Sequence, residues 1–152
     1  MNKLIIFALS LTLLSIGCKS KKAQNKTPML IFQLDKTGGR TIAPAYSLQI
    51  FDNGKAIFEG KNHTDKIGKY EMKISKAKLR ILKKAFDKSN FFSFKDEYTS
   101  MVTDLQTTYI MYATAGKSKR IRDYVGAPEE LKKLERILES VAASKDWKKM
   151  NE

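Results

Sequence analysis

One cysteine, one histidine and three prolines are all that this chain of 152 residues holds of those residue types. A lone cysteine excludes a disulfide framework or a multi-thiolate zinc site within one chain, and a lone histidine excludes His-rich metal centres; no metal site and no cofactor is expected. Eight glycines are too few for a collagenous or low-complexity chain. Acids are also scarce, 16 Asp+Glu against 29 Lys+Arg, which leaves a formal net charge of +13. What is present, 42% hydrophobic and 30% charged residues, is the composition of one folded domain rather than a disordered chain.

The first residues are the most informative. Lys3 is followed by an apolar stretch from Leu4 to Gly17, then by Cys18 and the basic run Lys19, Ser20, Lys21, Lys22. A cationic start and an apolar run of about 14 residues suit the translocon but fall short of the ~20 residues of a stable span, so residues 1–17 read as a signal peptide. Leu14-Ser15-Ile16-Gly17-Cys18 resembles the lipobox of bacterial lipoproteins at Ile16, Gly17 and Cys18, with Ser15 standing where Leu is usual. The resemblance implies that Cys18 is a lipid attachment point, carrying diacylglycerol and a palmitate-type acyl chain, and not a nucleophile. Two or three acyl chains, at ~0.8 kcal/mol per buried CH₂, make attachment effectively permanent. Lys19, rather than an Asp resembling an inner-membrane retention signal, favours the outer membrane, facing the periplasm.

Removing residues 1–17 takes away only Lys3 and leaves +12 on the side chains of the mature chain. Residues 18–28 then form the lipidated Cys and a basic flexible tether, holding Lys19, Lys21, Lys22 and Lys26 and lacking apolar periodicity. Residues 29–152 are expected to form a single α+β domain.

Within that domain the first half has the period of strands. Met29–Leu34 is a short apolar run, and Ala45–Phe51 alternates Tyr46, Leu48 and Ile50 with Ser47 and Gln49. Asn53-Gly54 predicts a tight type I′ turn into a third strand over Lys55–Gly60. Gly68–Ile74, with Tyr70, Met72 and Ile74 against charged neighbours, predicts a fourth strand with one wet face.

The period then becomes helical. Ser75 is a predicted N-cap, and Leu79, Leu82, Ala85 and Phe86 share one face of a helix to about Asp87, with Lys78, Arg80, Lys83 and Lys84 off it. An aromatic connection follows, Phe91, Phe92, Phe94 and Tyr98. Two more strands, Tyr109–Thr114 and Ser118–Val125, precede a last helix that Pro128 opens as first residue and that buries Leu131, Leu134, Leu138 and Val141. The expected fold is α+β, an antiparallel-rich sheet in the order ββββαββα with two helices packed on one face.

Several segments together resemble a family: Pro44–Gly54, Phe58-Glu59-Gly60, Gly68-Lys69-Tyr70, Phe91-Phe92, Asp96-Glu97-Tyr98, Thr103–Tyr109 and Asp123–Glu129. In this order they look like the lipoprotein-associated domain of unknown function 6438, common in Bacteroidota, over about residues 29–143. Members typically carry a Cys-x-Gly-x-Cys-Pro-x-Tyr segment; here Gly39 and Ala43 replace the paired cysteines while Pro44 and Tyr46 remain. The resemblance brings no assigned activity, and no disulfide or metal role transfers to this chain.

Candidate sites are few. His63 lies in a polar loop with no Gly-x-Ser-x-Gly marker, so a catalytic triad has no support beyond common residues. Asp96 and Asp104 form a candidate acid–base pair, with turn capping as the plainer role. Phe91, Phe92, Phe94 and Tyr98 either line an apolar pocket or pack the core. Arg120, Arg122 and Tyr124 share one face of a strand and form the candidate ligand or partner surface. Of the 29 cations 24 are Lys, which is strongly hydrated and lacks the bidentate geometry of Arg, so no nucleic-acid partner is expected.

The function expected is that of a lipid-anchored cell-envelope protein, a non-enzymatic binding or interaction module. Its partners are the membrane, through the lipid, and another envelope protein or an anionic envelope polymer, and it is expected to be a monomer. A binder of a small ligand or polymer through the aromatic cluster or the Arg120/Arg122 face is the alternative. A hydrolase is the distant one, to be recognised by a concave site that gathers His63 with carboxylates.

Overall fold

The computed structural model describes residues 27–38, 42–102 and 104–151. The expected signal peptide, Cys18 and the tether up to residue 26 lie outside the described residues. Among those described, no helix is long and apolar enough to cross a membrane.

Four strands come first: β1 (Leu30–Lys36), β2 (Ala45–Phe51), β3 (Lys55–Asn62) and β4 (Gly68–Lys73). They are followed by α1 (Lys76–Lys88), a 3₁₀ turn (Phe91–Ser93), β5 (Glu97–Tyr98), β6 (Thr108–Thr114), β7 (Lys117–Asp123), α2 (Glu129–Ala142) and β8 (Lys148–Lys149). The eight strands form one sheet in the order β5-β7-β6-β1-β2-β3-β4-β8. The expected order ββββαββα is thus corrected by two further strands of two residues each, one before β6 and one after α2. The expected antiparallel character is corrected at one edge, where β5 pairs with β7 in parallel. Both additions are set by tertiary position: the Asp96 and Tyr98 carbonyls accept from the Arg122 and Tyr124 N–H groups at 2.9 Å, and the Lys69 carbonyl accepts from Met150 at 2.9 Å.

The period of two decides which face is covered. Phe32 and Leu34 of β1 stand opposite Ile50 and Leu48 of β2 and opposite Tyr112 and Ile110 of β6, and all six are buried. Leu79, Leu82 and Phe86 of α1 and Leu131, Leu134, Leu138 and Val141 of α2 join the same core. Phe86 anchors α1, its ring 4.8 Å from Phe32 and 5.1 Å from Tyr112. Each such side chain, fully buried, contributes about 1.5–3 kcal/mol. Asp87, the one acid of α1, accepts from the Tyr112 hydroxyl at 2.8 Å. The other sheet face carries Gln33, Asp35, Ser47, Gln49, Tyr109, Arg120 and Arg122.

Two local expectations are corrected. The β2–β3 connection is a three-residue loop, Asp52-Asn53-Gly54, in which the positive φ of +81° falls on Gly54 and not on Asn53. Asp52 is held by Met29, whose N–H donates to its carboxylate at 3.0 Å, and the Asn53 side chain accepts from the Lys55 N–H at 2.8 Å. Those two contacts replace the type I′ turn by a right-handed turn closed with a left-handed glycine. Pro128 is the N-cap of α2, with extended ψ of 155°, so the helix begins one residue later.

Candidate functional site

Arg120 and Arg122 share the face of β7 opposite the helices, and each meets an acid of the same chain. Arg120 lies 3.2 Å from the Asp35 carboxylate and stacks 4.1 Å from the Tyr109 ring centre. Asp35 also accepts from the Ser47 hydroxyl at 2.6 Å and the Gln33 amide at 2.8 Å. Arg122 pairs with Glu97, whose hydrogen bond is the leading cause that raises the guanidinium pKa above its ordinary value. Its guanidinium sits 5.5 Å from the Tyr124 ring centre, and the Tyr124 hydroxyl accepts from the Leu105 N–H at 3.2 Å. This row is a set of matched charges, with little positive potential left for an anion.

The aromatic cluster divides. Phe91 is fully buried and meets Phe92, Phe94 and Tyr112 edge to face at 5.9–6.2 Å. Phe92, Phe94 and Tyr98 pack as partly buried neighbours against the core. Asp96 is engaged by Lys119 at 2.8 Å, and Asp104 occupies a turn position with φ of 70°.

The concave region with mixed chemistry lies elsewhere, between the ends of β1, β2 and β3, the β3–β4 loop and the last turn of α2. This cleft of about 380 Å³ is lined by Lys36, Pro44, Tyr46, Phe58, His63, Thr64, Asp65, Lys66, Glu139, Ala142 and Ala143. Its floor is aromatic: the Tyr46 and Phe58 rings are 5.2 Å apart, and the Lys66 ammonium covers Phe58 at 5.6 Å. Gly60 makes this wall possible, because a Cβ there would collide with the Lys66 carbonyl and with the Thr64 methyl group. On the opposite side Lys36 and Glu139 form an ion pair that ties β1 to α2.

Tyr46 sets the character of the cleft. It is only 8% exposed, and its hydroxyl has no hydrogen-bond partner among the described residues. Burial, followed by the nearby Glu139 charge, raises its pKa well above the ordinary 10, so the phenol remains an O–H donor. His63 shares the cleft with Asp65 and Glu139, held at φ of 51°, and no hydrogen bond or ion pair engages it among the described residues.

Sequence reasoning missed a second buried polar group. Asp123 at the end of β7 is 1% exposed and Glu135 of α2 is 4% exposed, with Lys132 ion-paired to both. Burial first, then the hydrogen bond with Asp123, raises Glu135 to about 7, against the lowering effect of Lys132. Burial opposes the Lys132 charge, yet the two acids outweigh it and raise that pKa. A signal was available: Glu135 falls four residues after Leu131 and three before Leu138, on the buried stripe of its helix.

The chain belongs to the family described as Domain of unknown function (DUF6438), whose model matches residues 31–142. No curated protein matches the chain.

Proposed function

We propose that this chain is a lipid-anchored cell-envelope protein, attached through Cys18 to the outer membrane and facing the periplasm. Its domain is a non-enzymatic binding module that holds a small polar envelope component, or the end of an anionic envelope polymer, in the Tyr46 cleft. One observation carries this reading: the Tyr46 ring is packed into an aromatic floor while its protonated hydroxyl, without a protein partner among the described residues, is open to the cleft. An acceptor on a ligand that meets this O–H gains one hydrogen bond, worth about 0.5–1.5 kcal/mol. Lys66 at the same cleft suits an anionic group on that ligand, and amide or carboxylate oxygens suit Tyr46. The Arg120/Arg122 face is the weaker candidate, since Asp35 and Glu97 already occupy its charges. Titration of the isotopically labelled protein with soluble cell-wall fragments tests the proposal. Shifts centred on Tyr46, His63 and Lys66 support it, and shifts confined to Arg120 and Arg122 overturn the cleft assignment.

A hydrolase is the second reading, favoured by the convergence of His63, Thr64, Asp65 and Glu139 on one cleft. It requires His63 to activate a hydroxyl or a water. Hydrolysis of amide or ester substrates that His63→Ala abolishes is the result that would establish it over simple binding.

A further inference from the structure

We propose that α1 is a membrane-docking face, whose basic side lies against the anionic headgroups of the lipid surface that carries the anchor. The proposal rests on the lipid-anchored reading above and adds an orientation to it.

The helix holds six cations, Lys76, Lys78, Arg80, Lys83, Lys84 and Lys88, against the single acid Asp87, which is engaged by Tyr112. Elsewhere some cations find acids, as Lys55 does with Glu71, Lys119 with Asp96 and Arg136 with Glu129, while others such as Lys61, Lys69 and Lys145 stand apart on the surface. Among the described residues no ion pair involves a cation of α1. The arrangement is unfavourable by itself. Its first turn has no acid to meet the positive end of the helix dipole and instead has Lys76 and Lys78. Lys76, Arg80, Lys84 and Lys88 follow one another at intervals of four, where like charges repel. With Lys83 they share about 140° of the helix circumference at 3.6 residues per turn. Ile81, 62% exposed, borders this arc as an apolar side chain on a charged surface. A basic helix face with an exposed apolar residue matches a lipid interface, where headgroup phosphates supply the missing anions.

The place where the chain enters the domain puts this helix on the side of the anchor. Met29 donates its N–H to the Asp52 carboxylate at 3.0 Å, and its carbonyl accepts from the Asp52 N–H at 2.8 Å. Asp52 in turn lines a cleft of about 400 Å³ with Lys76, Leu79, Arg80 and Lys83. Ten residues lie between Cys18 and Met29, and the eleven steps, at ~3.3–3.6 Å each, reach no further than about 40 Å. A lipid on Cys18 therefore keeps Met29 within about 40 Å of the bilayer, and the basic cleft next to Met29 lies on the side where Lys19, Lys21, Lys22 and Lys26 enter.

The test uses the chain from residue 18 onward with Cys18→Ser, which carries every described residue and no acyl chain, and measures cosedimentation with vesicles. Expected is binding to vesicles containing phosphatidylglycerol, weakened by salt and absent with pure phosphatidylcholine. The triple variant Lys76→Glu, Arg80→Glu and Lys84→Glu is expected to bind at least tenfold more weakly, since each cation near the surface is worth about fivefold. It keeps the helix, because a Glu in the first turn suits the dipole. A control with the same change in net charge, Lys61→Glu, Lys69→Glu and Lys145→Glu, is expected to lose less than threefold. Equal losses in the two triple variants, or unchanged binding in the α1 variant, overturn the proposal. Incorporation of labelled palmitate at Cys18 is read separately, so failure of the docking face is distinguishable from failure of the anchor.

Discussion

Glu135 of α2 and Asp123 of β7 are two buried acids that share Lys132 as their ion-pair partner. No group donates a conventional hydrogen bond to either Asp123 oxygen or to Glu135 Oε1 among the described residues. A proton on Glu135, donated to Asp123, pairs two of these three oxygens.

That proton makes stability depend on pH. The Glu135 pKa rises from 4.5 to about 7 on folding, so the native state binds the proton more tightly than the unfolded chain does. The contribution is fully present below about pH 4.5 and is lost as pH rises through about 7. Glu135→Gln keeps a donor toward Asp123 and has no proton to lose. Relative to the parent it is expected to be near neutral at pH 4.5 and more stable by about 1–2 kcal/mol at pH 8. Urea midpoints at the two pH values measure this, and an identical pH dependence in parent and variant would falsify the shared proton.

The anchor is tested at Cys18. Cys18→Ala is expected to abolish palmitate labelling, to leave the leader uncleaved and to shift the protein's mobility on denaturing gels. Unchanged processing and labelling would remove the lipid from the account.

Tyr46→Phe removes one oxygen and leaves the ring packed on Phe58. Because that hydroxyl has no partner among the described residues, stability is expected to change by less than about 0.5 kcal/mol. Affinity for cell-wall fragments, in contrast, is expected to fall about fivefold or more, the worth of one hydrogen bond. Thermal unfolding and calorimetric titration separate the two; a large loss of stability with unchanged affinity makes Tyr46 a structural residue only.

Gly60→Ala tests the wall of the cleft. The new methyl meets the Lys66 carbonyl, so the β3–β4 loop has to move. An expected cost of about 1–3 kcal/mol accompanies changed chemical shifts at His63, Thr64 and Asp65. A stable variant with an unchanged loop would mean that the loop is already free of β3.

Much of the fold was legible because local pattern and tertiary burial agree. The alternation of Tyr46, Leu48 and Ile50 delimits β2, and the 3.6 spacing of Leu79, Leu82 and Phe86 delimits α1. The edge strands were not legible, since two residues such as Lys148-Lys149 have no period and exist only through pairing with Tyr70 and Glu71. The turn type escaped for a similar reason: Asp52 is drawn to Met29, 23 residues earlier. At the Arg120/Arg122 face the sequence places both guanidinium groups, but not the acids that meet them. Asp35 is 85 residues from Arg120, and Glu97 is 25 from Arg122. The β2–β3 hairpin brings His63 beside Tyr46, whereas Glu139 joins them only through the packing of α2 against the sheet, so the complete cleft has no linear signature.

The position of β1 has a mechanical consequence. It lies in the interior of the sheet, between β6 and β2, and runs antiparallel to both. Tension applied at Met29 acts along the axis of this strand, across hydrogen bonds that stand perpendicular to it. The load shears two ladders together rather than peeling one open bond by bond. A pull on Met29 is thereby borne by an interior strand rather than by an edge.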